Sequence, residues 1–99
     1  MEVVKTAIAG TLESSDVQIT IEPNGKGTAV DISSIVLNQY GRQIKAIVLD
    51  TLNTLGVKSA RVTVVDKGAL DCTIKARTEC AVYRAAGLTE SYPWGGEKK

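Results

Sequence analysis

The sequence predicts an α+β fold, a two-layer sandwich with a four- to five-stranded, mainly antiparallel sheet and one long and one short helix. Three features predict it: short segments that alternate apolar and polar residues, one long segment with helical periodicity, and turn residues between them. The 99 residues favour a single domain, residues 1–99, because a chain of this length rarely forms two cores. Residues 88–99 are predicted to form an irregular C-terminal tail.

The first two predicted strands form a hairpin. Residues 5–11 are rich in small and β-favouring residues, and residues 17–21 alternate apolar and polar side chains, as a half-buried strand does. The polar segment between them, residues 12–16, is predicted to be the turn of the hairpin. Ser14 would then lie near its tip.

A turn and a third strand lead to the long helix. Residues 23–27 contain a Pro-Asn-Gly turn signal, and residues 28–32 alternate again. A helix is predicted over residues 34–55, where apolar residues recur at steps of three and four, and Gly56 follows where a left-handed cap favours glycine. The apolar face of this helix comprises Leu37, Tyr40, Ile44, Ile47, Val48, Leu52 and Leu55.

The segment that follows allows two interpretations. Residues 61–65 are predicted to be a strand. Because residues 72–77 also alternate, we prefer a strand over 71–77 and then a short helix over 78–86. The alternative is a single helix that begins near residue 69. One face of that helix would be formed by Leu70, Ile74, Ala81 and Ala85.

Composition excludes several classes of function. The chain is 43% hydrophobic and its formal net charge is +1, so no strong field favours nucleic acid or an anionic membrane. The predicted strands carry no aromatic residue, which argues against an RNA-binding sheet. No apolar run reaches the roughly 20 residues that span a bilayer, and the N-terminus lacks a signal-peptide pattern. We therefore expect a cytoplasmic protein that binds neither nucleic acid nor membranes.

Candidates for catalysis are few. The chain has no histidine, which excludes imidazole catalysis and the commonest zinc sites. Cys72 and Cys80 are predicted to be reduced thiols. Asp66 and Asp71 could form a carboxylate pair, but a hairpin turn in which aspartate accepts backbone N–H bonds is the preferred interpretation. We predict no catalytic side chain and no metal site.

Ser14 is the candidate for modification. A serine at a hairpin tip is commonly only a turn former. This one is predicted to be exposed and flanked by carboxylates, so a transferase would have access to it and an attached group could move freely. The residues alone leave both interpretations open.

Two separated motifs resemble the gamma, or acyl carrier, subunit family of citrate lyase. They are Gly10-Thr11-Leu12-Glu13-Ser14-Ser15-Asp16-Val17 and Asp66-Lys67-Gly68-Ala69-Leu70-Asp71-Cys72. Three further matches extend the resemblance over nearly the whole chain. These are Ala76-Arg77, Ala85-Ala86-Gly87 and Pro93-Trp94.

The resemblance implies a non-catalytic carrier subunit of a citrate lyase complex. In that family the serine that matches Ser14 is joined through a phosphodiester to 2'-(5''-phosphoribosyl)-3'-dephospho-CoA, and Ser15 is the weaker candidate. The arm would carry acetyl and citryl thioesters while citrate is cleaved to acetate and oxaloacetate. The implied partners are a transferase (alpha) subunit, a lyase (beta) subunit and a prosthetic-group transferase.

Two other functions stay open as alternatives. The carrier subunit of malonate decarboxylase resembles this family and uses a similar arm, although the segment 66–71 favours citrate lyase. An unmodified small αβ interaction or ligand-sensing domain would instead leave Ser14 dispensable. We also predict that Tyr92-Pro93-Trp94, the apolar cluster of the tail, docks onto a partner subunit.

Overall fold

A four-stranded mixed sheet forms one layer of the protein. The structure, a computed structural model, describes residues 2–34 and 37–87, with the backbone alone for residues 37–40. The strands are β1 (Ala7–Gly10), β2 (Val17–Glu22), β3 (Thr28–Ser34) and β4 (Ala60–Asp66), in the spatial order β1-β2-β4-β3. β2 pairs antiparallel with β1 and β4, whereas β3 runs parallel to β4. The predicted fold class and the first hairpin are confirmed.

Two helices form the second layer. α1 (Leu37–Thr54) connects β3 to β4, as a parallel strand pair requires. α2 (Asp71–Ala85) follows β4 and packs against β1, β2 and α1. Neither helix is long and apolar enough to cross a membrane. Because both helices cover one face, alternate residues of the central strands are buried beneath them, namely Val17, Ile19, Ile21, Val62 and Val64.

The predicted long helix is confirmed, and its end explains why a glycine follows it. Gly56 has a φ of 72°, and the Val57 N–H donates to the Leu52 carbonyl at 2.9 Å. This bond closes a left-handed C-terminal cap, which a residue with a side chain adopts at a cost. Residues 35–36, at the predicted beginning of the helix, lie outside the described residues.

The prediction of a strand over 71–77 and a short helix over 78–86 is wrong, since one helix covers Asp71–Ala85. Thr78 explains the error. It is fully buried, and its hydroxyl donates to the Ile74 carbonyl oxygen at 2.7 Å. A threonine satisfied within its own helix completes an apolar stripe that looked interrupted in the sequence. The alternative of a single helix beginning near residue 69 is therefore the one that the structure supports.

Three chain segments meet at one end of the sheet. Asp66, at the end of β4, pairs with Val17 at the beginning of β2 and with Ser34 at the end of β3. The β1–β2 turn and the β4–α2 loop are therefore neighbours. The tail over residues 88–99, including Tyr92-Pro93-Trp94, lies outside the described residues.

Candidate attachment site at the first turn

Ser14 lies at the exposed corner of a β-turn. The turn spans residues 13–16 and is closed by the Asp16 N–H, which donates to the Glu13 carbonyl at 3.1 Å. Ser14 is its second residue and is exposed. None of the hydrogen bonds that shape this turn involves the Ser14 hydroxyl. The hydroxyl is therefore accessible for a transfer reaction.

Ser15 occupies the turn position that requires a left-handed backbone. Its φ is 67°, which is uncommon for a residue other than glycine and is what the third residue of a type II turn adopts. Its N–H donates to the Lys67 carbonyl at 2.8 Å, and the Lys67 N–H donates to the Asp16 carbonyl at 2.9 Å. Ser15 and Asp16 thus both lie opposite the single residue Lys67, as in a β-bulge. The turn is fixed against the β4–α2 loop.

The Asp16 side chain organises the turn from inside. Its carboxylate accepts the Thr11 hydroxyl at 2.6 Å, the Thr11 N–H at 3.2 Å and the Val17 N–H at 2.7 Å. These hydrogen bonds from Thr11 and Val17, together with the Arg77 guanidinium, lower the pKa of Asp16 from 3.8 to about 2. The carboxylate is therefore ionised at neutral pH.

Arg77 connects the turn to α2. Its Nε and Nη2 atoms each lie 3.1 Å from a different oxygen of Asp16, which is a bidentate ion pair. The Asp16 side chain is 14% exposed and that of Arg77 is 40% exposed. The sequence placed Asp16 beside Ser14 only as a flanking carboxylate, and marked Arg77 only through the resemblance. No spacing rule joins two residues that lie 61 positions apart.

Gly10 permits the close approach of the two hairpin strands below the turn. Its φ is 90°, and a Cβ atom there would lie 1.8 Å from the Val17 carbonyl oxygen. No side chain fits at that distance. Glycine at this position is thus required by the backbone that faces it.

Asp66 and Asp71 have separate partners. Asp66 is buried, and its carboxylate accepts the Ser34 hydroxyl at 2.8 Å and the Ala69 N–H at 2.9 Å. Asp66 accepts a backbone N–H as predicted, but it does so in a loop between a strand and a helix, so the predicted hairpin turn is wrong. Asp71 is exposed and accepts the Gln43 side-chain amide at 2.7 Å. The two aspartates serve two different contacts.

The remaining candidates belong to α2. Cys72 and Cys80 are free thiols that lie eight residues apart on this helix, about 12 Å along its axis, which is too far for a disulfide. Within residues 2–34 and 37–87, no group of three or more acidic or cysteine side chains could hold a metal ion.

Comparisons with known proteins identify relatives of this fold. Residues 4–85 match the family described as malonate decarboxylase delta subunit. The chain is 17% identical to a chain in the crystal structure of a Pseudomonas malonate decarboxylase hetero-tetramer in complex with malonate. The match has a TM-score of 0.73 and covers 84% of this chain and 86% of that one. This likeness shows a shared fold.

Curated relatives give a closer match. The citrate lyase acyl carrier protein of Streptococcus uberis is 52% identical, over 95% of this chain and 92% of that protein. The protein of the same name from Streptococcus equi subsp. zooepidemicus is 55% identical over the same shares. The one from Oenococcus oeni is 50% identical over 95% and 97%. Because half or more of the residues agree over nearly the full length, this chain belongs to the citrate lyase acyl carrier protein family.

Proposed function

We propose that Ser14 carries the covalent prosthetic group of this acyl carrier protein, and that the chain is the carrier subunit of a citrate lyase complex. The observation that carries the proposal is an exposed serine hydroxyl at the corner of a turn whose shape depends on other side chains. The group is expected to be 2'-(5''-phosphoribosyl)-3'-dephospho-CoA. When bound, it supplies a thiol on which an acyl group is held as a thioester.

The charged residues around Ser14 include the exposed carboxylate of Glu13 in the turn itself and a cationic residue in the adjacent loop. The Asp16 carboxylate is directed toward Thr11 and Arg77, so its charge is neutralised by partners within the protein. Lys67 is bonded through its backbone to Ser15 and Asp16, which brings a cationic residue to the turn. A phosphate joined to Ser14 would therefore have a cation in the neighbouring loop.

The carrier itself has a passive chemical role. The chain has no histidine, and none of the residues that the structure describes is a base bonded to the Ser14 hydroxyl, so these residues supply no activated nucleophile at this turn. Modification of Ser14 thus calls for an external prosthetic-group transferase. A tethered acyl group then meets transferase and lyase subunits at roughly millimolar effective concentration.

The two alternatives differ in what supports them. The malonate decarboxylase carrier shares the fold at 17% identity, whereas citrate lyase carriers share half or more of the residues, which favours citrate lyase. An unmodified interaction domain would leave the exposed Ser14 without a role. The experiment below separates it from a carrier.

Ser14→Ala tests the attachment site. The wild type, Ser14→Ala and Ser15→Gly are each produced with the prosthetic-group transferase and examined by intact mass and peptide fragmentation. We expect an adduct on Ser14 in the wild type and none in Ser14→Ala, since the accepting hydroxyl is gone. Ser15→Gly should keep the adduct, because glycine accepts the φ of 67° at no steric cost.

Two outcomes contradict the proposal. An adduct that persists in Ser14→Ala and is lost in Ser15→Gly would assign the attachment to Ser15. An unmodified wild type in the presence of an active transferase would favour the interaction domain. Circular dichroism of the variants is the control for folding, and citrate cleavage by the reassembled complex should be lost in Ser14→Ala alone.

A further inference from the structure

A cavity of about 570 Å³ opens between α1 and the β4–α2 loop. Its size is within the range of roughly 300–1,000 Å³ that small-molecule sites occupy. The described residues of its wall are Gln43, Ile44, Asp66, Gly68, Ala69, Leu70, Asp71, Cys72 and Ile74. Most of the second sequence motif therefore lines this cavity.

The cavity lies next to the attachment turn. Gly68, in its wall, directly follows Lys67, whose carbonyl accepts the Ser15 N–H at 2.8 Å. From this bond and standard backbone dimensions, the Cα atoms of Ser14 and Gly68 are no more than about 8 Å apart. Only the portion of an arm close to its attachment point lies at this distance. The thiol end lies beyond the pyrophosphate.

The charges of the wall select an uncharged ligand. Asp66 and Asp71 contribute carboxylates, and none of the described wall residues is a lysine or arginine. Among these described wall residues, a phosphate would meet two negative charges and no cationic side chain. An aromatic base with an amino group is suited instead, because the Asp71 carboxylate and the side-chain carbonyl oxygen of Gln43 offer hydrogen-bond acceptors. The exposed Leu70 offers apolar surface, and the largely buried Ile44 and Ile74 form the apolar floor.

Leu70 is an unfavourable residue for its position, because it is an exposed apolar side chain at a helix N-terminus. It is 71% exposed, and it is the N-cap residue of α2 without a side-chain hydrogen bond to the helix. Serine or aspartate would satisfy a free helix N–H at this position and leucine cannot. An exposed leucine in place of a cap is consistent with a contact made only when a ligand is present.

We infer that this cavity binds the adenine ring of the prosthetic group attached at Ser14, an inference that rests on the proposed function. One phosphodiester and one ribose separate that adenosine from the serine, which matches the short distance between turn and cavity. Binding of the base would hold the portion of the prosthetic group between Ser14 and the adenosine against the carrier. The phosphopantetheine portion would then be the part that reaches the partner active sites.

The test is nuclear magnetic resonance on the modified chain, with ¹³C,¹⁵N-labelled protein and an unlabelled arm. Mass spectrometry first confirms that Ser14 is modified. We expect isotope-filtered NOEs from the adenine H2 and H8 protons to the methyl groups of Ile44, Leu70 and Ile74. Amide shifts between unmodified and modified chain should extend from the turn to Gly68–Cys72.

Leu70→Ser is a variant that should fold, because Leu70 is exposed and serine can cap α2, so that its melting temperature should rise. With the leucine side chain gone, the adenine NOEs to Ile44 and Ile74 should weaken or disappear. Leu49→Ala is the matched control, since Leu49 is also an exposed leucine but does not line the cavity. Its NOEs should equal those of the wild type.

Three outcomes would overturn the inference. They are a modified chain without adenine contacts in the cavity, NOEs from pantetheine protons to the same methyl groups, and adenine NOEs to Ile44 and Ile74 that are unchanged in Leu70→Ser. Each leaves the attachment at Ser14 intact. A chain that is not modified at Ser14 overturns the proposed function together with this inference.

Discussion

Two neighbouring loops at one end of the sheet are each held by an aspartate, but by different physical means. In the β1–β2 turn, Asp16 is partly exposed and forms an ion pair with Arg77 of α2. In the β4–α2 loop, Asp66 is buried and accepts two neutral donors, the Ser34 hydroxyl and the Ala69 N–H. The first arrangement depends on pH and salt, whereas the second depends on burial.

This difference follows from the position of each loop, since one carries the exposed Ser14 and the other forms a cavity wall. The β1–β2 turn must keep Ser14 exposed, so its fixing residue cannot be deep in the core. The ion pair meets both needs, because Arg77 of α2 binds Asp16 at the base of the turn while Ser14 at its corner stays exposed to solvent. The β4–α2 loop instead shapes a cavity wall, which a buried carboxylate can support from below.

Of the substitutions that distinguish the two loops, Gly10→Ala should reduce the free energy of unfolding most. The new Cβ would meet the Val17 carbonyl oxygen at 1.8 Å, and φ is already 90°. Clash and left-handed strain together should reduce the free energy of unfolding by about 3 kcal/mol or more. Urea unfolding measures this loss.

Gly27→Ala is its matched control. Gly27 has nearly the same φ, 91°, but nothing lies within 4 Å of its added Cβ. Only the backbone strain of about 1–2 kcal/mol should remain. Equal losses in the two variants would contradict the claim that the hairpin backbone specifically requires Gly10.

Asp66→Ala should cause the second largest loss in the free energy of unfolding. It removes the carboxylate that accepts the partly buried Ser34 hydroxyl and the partly buried Ala69 N–H, which should reduce the free energy of unfolding by about 2 kcal/mol. Asp66→Asn keeps one side-chain oxygen for the Ala69 N–H, so its loss should be smaller, about 1 kcal/mol. Chemical denaturation at pH 7 compares them. If asparagine were as damaging as alanine, the negative charge and not the hydrogen bonds would be the stabilising feature.

The sequence predicted the first loop better than the second for a physical reason. Strands β2 and β4 bury one face, so their alternation is visible in the residue pattern and the turn between β1 and β2 could be placed. α2 was assigned in part to a strand because Cys72 and Ala76 alternate with polar residues. Its helical stripe includes Thr78, whose polarity is satisfied by Ile74 within the helix. Residue type alone does not show such a local bond.

The contact that positions the candidate site depended on that same helix. Arg77 reaches Asp16 because α2 packs against β1 and β2, the two strands that the turn connects, which is a result of the whole fold. Ser14 could be selected from sequence, since an exposed polar turn is a local property. The ion pair that holds the turn is a tertiary property, and it could be found only once residues 71–85 were seen as one helix.

Asp16→Asn should show the smallest stability effect and the clearest dependence on pH. A carboxyl whose pKa falls from 3.8 to about 2 on folding stabilises the protein above about pH 4, and this contribution is lost as the pH falls through about 2. The shift corresponds to at most about 2 kcal/mol, which solvent screening of a partly exposed pair reduces toward about 1 kcal/mol. Urea unfolding at pH 5 and near pH 2 should show this loss in the wild type and lack it in Asp16→Asn. Asp50→Asn, on the exposed side of α1, is the control.

Two further variants measure how much each partner of Asp16 contributes to its lowered pKa. The hydrogen bond from the Thr11 hydroxyl is the largest single cause of the lowered pKa of Asp16, and Arg77 lowers it through both a hydrogen bond and its charge. Thr11→Val and Arg77→Met should each raise the pKa of the Asp16 carboxyl, and a ¹³C titration of the carboxyl compares the two increases. Added salt should weaken the contribution of Arg77 and leave that of the short hydroxyl bond, because screening acts on the exposed ion pair. A larger effect of Arg77→Met would mean that the helix, and not the turn itself, governs the charge of this carboxylate.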